Sequence, residues 1–214
     1  MRISITSDIL ENISGNKLHT LYGVIDGEYY HSYSLYELYK NYRYKFVERI
    51  NGEYSIILFD KYRNLLYAYT DIFGTKPLYF GLKGKKFKIS SFKHTFKDYD
   101  FVKRIPNSSI LKLNLHDNQY DIEKHSKFDL TEKYDNLDRC IDALKEAIDI
   151  RTGQYIGTGV SGGHDTGAII QRLSETKKKC KYYYFDTGKE DKDIIDKRIK
   201  KYNLKLNTIN YKVN

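Results

Sequence analysis

The chain has 214 residues, a net charge of +9, 40% hydrophobic and 15% aromatic side chains. Those values exclude wholesale disorder and leave room for one large domain or two small ones with a real core. Its two cysteines, Cys140 and Cys180, make no disulfide framework, and its six histidines form no HxxxH pair, so metal-cluster and secreted scaffolds are excluded.

In chain order, residues up to about 130 read as short Tyr- and Ile-rich runs between turn signals, a β-rich pattern. Leu35 to Tyr42 is expected to be a helix. Strands are expected at Tyr54–Phe59, Leu65–Tyr69, Pro77–Phe80, Phe87–Ser90 and Ser109–Leu115. Asn51-Gly52, Phe73-Gly74 and His116-Asp117-Asn118 supply turns. From about 131 the period changes, with Leu137, Ile141, Leu144 and Ile148 stepping along one face of an amphipathic helix. Cys140 falls beside that stripe and is expected to pack rather than react, since no histidine stands nearby in sequence to activate it.

A βαβαβ alternation follows: strand Tyr155–Val160, helix Thr166 to about Ser174, strand Tyr182–Phe185, helix Asp191–Tyr202 and strand Leu206–Val213. Such an alternation builds a parallel sheet. The run Lys177-Lys178-Lys179 is expected to place cations at the end of its first helix.

The chemistry concentrates in Ser161-Gly162-Gly163-His164-Asp165-Thr166, between a strand and a helix. The glycines let backbone N–H groups approach a ligand, and the helix start points unpaired N–H groups and its positive pole into the same space. Ser161 and Thr166 add hydroxyls, and Asp165 either caps the helix or holds a magnesium ion. The combination suits a pyrophosphate and is not a Walker A loop. A glycine-rich turn capped by Asp165 with no ligand is the competing reading.

This loop resembles the SGGxDS loop of the PP-loop ATP pyrophosphatases, which cleave ATP to AMP and pyrophosphate. Upstream, Asp71 to Phe80 (DIFGTKPLYF) is similar to the DxxGxKPLYY segment of asparagine synthetases and other class II glutamine amidotransferases. Phe46 to Asp60 resembles that family's ERLNGMFAFALYD strand pair, Ile89 to Lys93 its FASExK string, and Arg104 to Asn107 its LPPG turn. The matches run in family order over roughly residues 22 to 214. The resemblance implies a reduced α+β, Ntn-type amidotransferase sandwich over residues 1–130 and a small α/β parallel-sheet ATP-binding domain over 131–214. It implies ATP and magnesium as cofactors, held by Ser161, Gly162, Gly163, Asp165 and Thr166, with Asp165 on the metal and Phe185 against adenine.

The resemblance also marks departures. The family's glutaminase uses an amino-terminal Cys, whereas here Met1 is followed by Arg2. Asp26-Gly27-Glu28 stands where the family has Asn-Gly-Glu, and a carboxylate beside a developing oxyanion repels it. The stretch between His31 and Phe46 is expected to be too short for the family's glutamine-gripping elements, and Gly167 replaces a small hydroxyl residue after the loop. The family's adenylating domain continues past its third strand, so a truncated relative is expected, with a separate chain as the candidate source of the remainder.

Three functions compete: an ATP-dependent amide ligase without glutaminase, a non-catalytic nucleotide- or partner-binding relative, and a nucleic-acid module. The last is disfavoured, because charge is spread over both halves and no RNP, KH or helix-turn-helix signature occurs. No apolar stretch approaches a membrane span, and a cytoplasmic location without membrane attachment is expected.

Overall fold

The computed structural model describes residues 4–6, 21–127, 131, 136–176, 178–186 and 192–210. The chain divides into two compact units, Met1–Glu132 and Lys133–Asn214. Expectations that fall on Lys177, Thr187 to Asp191 and the end of the last strand lie outside the described residues.

The first unit is built on strands β1 (Ser4–Thr6), β2 (Leu21–Tyr30), β3 (Asn51–Asp60), β4 (Leu65–Thr70), β5 (Tyr79–Lys83), β6 (Lys86–Ser90), β7 (Phe101–Arg104), β8 (Ser109–Asn114) and β9 (Tyr120–Lys124). They form two antiparallel sheets, one of five strands in the order β2-β3-β4-β8-β9 and one of four in the order β1-β6-β5-β7. Between β2 and β3 lie helix α1 (Leu35–Tyr42) and a 3-10 segment (Arg43–Arg49).

The five-stranded sheet is covered on both faces. Ile57, Phe59, Leu66, Ala68, Leu111 and Leu113 pack against Leu78, Phe80, Phe87, Ile89 and Ile105 from the side of the second sheet. The alternate residues Ile56, Leu58, Tyr67 and Tyr69 pack against Leu38 and Tyr39 of α1 and against Phe46 and Val47. Burial of both faces is why YSIILF and LLYAY are continuous apolar runs rather than alternating ones. Helix α1 starts on a capping box: the Glu37 amide donates to the Ser34 hydroxyl, and the Glu37 carboxylate accepts from the Ser34 backbone N–H at 2.8 Å.

Asn51-Gly52 is not a turn but the start of β3. Gly52 pairs with Tyr29, and a Cβ there would sit 2.3 Å from the Glu28 carbonyl oxygen, so the glycine serves close strand approach. Strand β2 lacks a clean sequence signal because Gly23, Asp26, Gly27 and Glu28 interrupt its pattern; ten residues of pairing with β3 establish it.

The second unit holds α2 (Asp138–Arg151), β10 (Tyr155–Gly159), α3 (His164–Ser174), β11 (Lys179–Asp186), α4 (Lys192–Tyr202) and β12 (Leu206–Asn210). The strands pair in parallel in the order β10-β11-β12. Ile170 of α3 and Ile195 and Ile199 of α4 meet Val160, Tyr182 and Tyr184 in one cluster. Both crossover helices therefore cover the same sheet face.

Helix α2 departs from expectation. Of its stripe only Ile148 is buried, while Leu137, Ile141 and Leu144 are exposed, and Cys140 is exposed rather than packed. Lys178 also differs: its Nζ donates to the carbonyl oxygens of Asp149 (3.1 Å) and Thr152 (2.9 Å), capping the C-terminal end of α2 rather than that of α3. Arg172 ties α3 to α2 through a bidentate pairing with Asp149. The arginine holds that carboxyl below its ordinary range.

Candidate functional site

The loop Ser161 to Thr166 leaves the C-terminal end of β10, where open α/β sheets bind ligands. The Ser161 and Thr166 hydroxyls share a hydrogen bond of 2.9 Å, and the Gly163 amide donates to the Ser161 Oγ at 3.3 Å. The loop thus closes on itself and directs two hydroxyls to one point. The helix begins two residues earlier than expected, at His164, with Gly163 as N-cap and no side-chain cap. Asp165 accordingly sits inside the first helical turn, exposed, and does not cap the helix. Its carboxylate stays available at the positive end of the helix.

Gly167 has a reason beyond the hydroxyl it gives up. A Cβ there would lie 2.6 Å from the Arg198 guanidinium of α4, which also donates to the Ser161 carbonyl oxygen. A cation thus stands behind the loop where a small hydroxyl residue was expected. Sequence reading missed Arg198, which lies 31 positions after Gly167, 198 minus 167. Phe185 lies at the same C-terminal end of the sheet on β11 and is 50% exposed, with no core role.

Among the described residues no three His, Cys, Asp or Glu side chains gather into a metal cage. A magnesium ion at Asp165 would belong to the class held by one carboxylate plus substrate phosphates, and the donor set of two hydroxyls, first-turn amides and one carboxylate fits that class.

The first unit holds a second cleft of about 400 Å³, lined by Ile25, Asp26, Gly27, Glu28, Tyr30, Glu53 and Lys76. Gly27 has φ +109°, and a Cβ there would lie 2.0 Å from the Glu53 carbonyl oxygen, so only glycine fits. The fold brings Lys76 of the DIFGTKPLYF string to this cleft, a juxtaposition the linear sequence does not display. Three carboxylate residues and one lysine thus line it. Neither cysteine belongs to the first unit: Cys140 is on α2 and Cys180 in β11, both in the second.

The DIFGTKPLYF string has a structural explanation of its own. Asp71 is 1% exposed, and its carboxylate accepts from the amides of Tyr54 (3.1 Å), Phe73 (2.9 Å) and Thr75 (3.1 Å) and from the Thr75 hydroxyl (2.6 Å). Its carbonyl oxygen accepts from Gly74 and Ser108. Gly74, at φ +64°, turns the chain there. The Asp, Gly and Thr of this string are thus accounted for by the turn's own hydrogen bonds.

A family model for a glutamine amidotransferase domain matches residues 14–98. The chain is similar to a putative glutamine-hydrolysing asparagine synthetase of Methanocaldococcus jannaschii, 25% identical over 89% of this chain and 42% of that protein. It therefore spans about two fifths of that relative's length. Two solved structures resemble it distantly at 12% identity. One is a glutamine phosphoribosylpyrophosphate amidotransferase from B. subtilis complexed with ADP and GMP, with a TM-score of 0.44 over 85% of this chain and 47% of that one. The other is an allosteric regulatory enzyme of purine biosynthesis, with a TM-score of 0.36 over 95% of this chain and 53% of that one.

Proposed function

We propose that this chain is an asparagine synthetase-like protein that binds Mg-ATP at Ser161 to Thr166 and supports carboxylate activation for amide formation, with glutaminase activity lost. The observation that carries this reading is the strand–loop–helix geometry of SGGHDT, with its paired hydroxyls and its uncapped helix start. ATP supplies an activated α-phosphorus, at which a carboxylate displaces pyrophosphate. On this reading Ser161, Gly162, Gly163 and Thr166 bind the leaving pyrophosphate, Asp165 holds the magnesium, and Phe185 packs on adenine.

Loss of glutaminase is supported in the first unit. Asp26, Glu28 and Glu53 line that cleft, negative charge there would repel an oxyanion, and no thiol is among its described lining residues. The same observation favours a second reading, a relative that binds nucleotide without turnover.

Isothermal titration of the full chain with Mg-ATP tests the binding. We expect micromolar affinity, at least a ten-fold loss in Asp165→Ala, and an unchanged urea midpoint for that variant, since the side chain is exposed. No heat with the unsubstituted protein overturns the reading. Pyrophosphate exchange into ATP in the presence of a carboxylate amino acid then separates ligase from binder.

A further inference from the structure

Strands of a parallel sheet are ordinarily buried on both faces, because crossover helices cover each side. Here α3 and α4 share one face, and no described element of the second unit covers the residues of the opposite parity. On β10 these are Tyr155, Gly157 and Gly159, all exposed, with Tyr155 at 76%. On β11 they are the exposed Lys179 and Lys181, the half-buried Tyr183 and, at the loop end, Phe185. On β12 they include Asn207 and Ile209, the latter 40% exposed. The buried residues of the same strands, Tyr182 and Tyr184, all point the other way.

We propose that this bare face is an interaction surface for a partner polypeptide, and that its occupant is an amphipathic helix with carboxylates at one end of its apolar stripe. The charge pattern decides the occupant. Lys179 and Lys181 stand on this face with no carboxylate of the same parity on β10, β11 or the described side chains of β12. Lys179 already leans on the Tyr155 ring, its Nζ 5.6 Å from the centroid, so the cationic end is organised. A second copy of this face brings no carboxylate to pair with the lysines, which disfavours it as the occupant.

Shape agrees with a helix. Gly157 and Gly159 carry no side chains, and a Cβ on Gly159 would meet nothing within 4 Å. At Gly157 a Cβ would touch the Tyr183 ring at 3.4 Å, so the open groove lies over Gly159 beside that ring, where a helix would approach the sheet. From Lys179 to Tyr183 the strand runs roughly 13 Å, which about nine residues of helix span. The carboxylates of the occupant therefore lie two to three turns from the side chain that meets Tyr183. A nucleic-acid strand would need cations tracking its phosphates along the face, and here both lie at one end. The lysine end of the face stands apart from the nucleotide reading, since Tyr155 and the lysines lie at the end of the sheet away from the Ser161 loop, whereas Phe185 at the loop end is shared with it.

The test replaces Tyr155 with the photo-reactive p-benzoylphenylalanine in the full chain, cross-links it in extract of its own cells, and maps the adduct by mass spectrometry. The expected adduct is one polypeptide joined through an amphipathic segment with Asp or Glu at one end. When purified, that polypeptide should bind the unsubstituted chain and lose at least ten-fold affinity with Lys179→Glu/Lys181→Glu. Mg-ATP titration of the double variant, which should match the unsubstituted chain if that chain binds nucleotide, checks that the fold survives, with circular dichroism as a second check. An adduct to nucleic acid, to a second copy or to this chain's own residues, no adduct at all, or an adduct whose affinity ignores the charge reversal overturns the proposal.

Discussion

Asp71 and Asp165 both sit in glycine-containing strings that draw the eye in the sequence, yet the fold treats them in opposite ways. Asp71 is buried, and its carboxylate is surrounded by donors from its own turn and from β3. Asp165 is exposed at the start of α3, and its loop spends only the Ser161 and Thr166 hydroxyls and one amide on itself. A polar string whose groups are satisfied internally is architecture. One that leaves donors aimed outward from a helix start has capacity for a ligand. The contrast extends to the units that carry them, since the five-stranded sheet is covered on both faces and the parallel sheet on one.

The largest expected effect that sharpens this contrast is Asp71→Ala. It leaves several buried N–H groups without an acceptor and should cost about 3–5 kcal/mol of first-unit stability. Urea denaturation followed by tyrosine fluorescence measures it. A loss under about 1 kcal/mol would break the distinction between a structural turn and a ligand loop.

Next in size is a pair of leucines. Leu66 is fully buried between the sheets, so Leu66→Ala should cost about 2–5 kcal/mol. Leu144, 45% exposed on α2, should cost under about 0.5 kcal/mol on the same substitution. Comparable losses in urea midpoints would mean that the α2 stripe is covered in solution.

The smallest effect is read through pH. Burial pushes the Asp60 carboxyl up, but the Tyr39 hydroxyl at 2.7 Å and the Arg63 guanidinium and amide together outweigh it, leaving its pKa below the ordinary value. A depressed carboxyl contributes stability that is fully present above its unfolded pKa, about 4, and is lost as pH falls through the folded value. Asp60→Asn should therefore be roughly 1–2 kcal/mol less stable at neutral pH, and the gap should close below about pH 4. Thermal melts of both proteins across that range check it; a constant gap would remove the charge from the explanation.

Sequence legibility follows the range of the physical cause. Helix Leu35–Tyr42 matches expectation residue for residue, because its periodicity and its Ser34–Glu37 capping box lie within a few consecutive positions. Strands β3 and β4 were legible because double burial writes itself as an apolar run, β6 because Phe87 and Ile89 alternate with lysines, and β8 through Ile110, Leu111 and Leu113. The strand–loop–helix of Tyr155 to Ser174 was legible for the same local reason, although its helix starts early because an uncapped Gly163 begins it. Strand β2 and the β3 start at Gly52 were not, since pairing with a distant segment rather than local propensity makes them strands.

The sequence by itself therefore determined a β-rich first half, the change to βαβ alternation after it, and the place of the candidate phosphate loop. Tertiary structure alone decided that Asp71 is satisfied, that Lys76 and Asp26 line one cleft, that Arg198 fills the space Gly167 leaves, and that α3 and α4 cover the same face of the parallel sheet. The physical reason is that propensity and periodicity are properties of neighbours along the chain. Hydrogen-bond satisfaction, close approach and burial depend instead on residues tens of positions apart, which the chain brings together only when it folds.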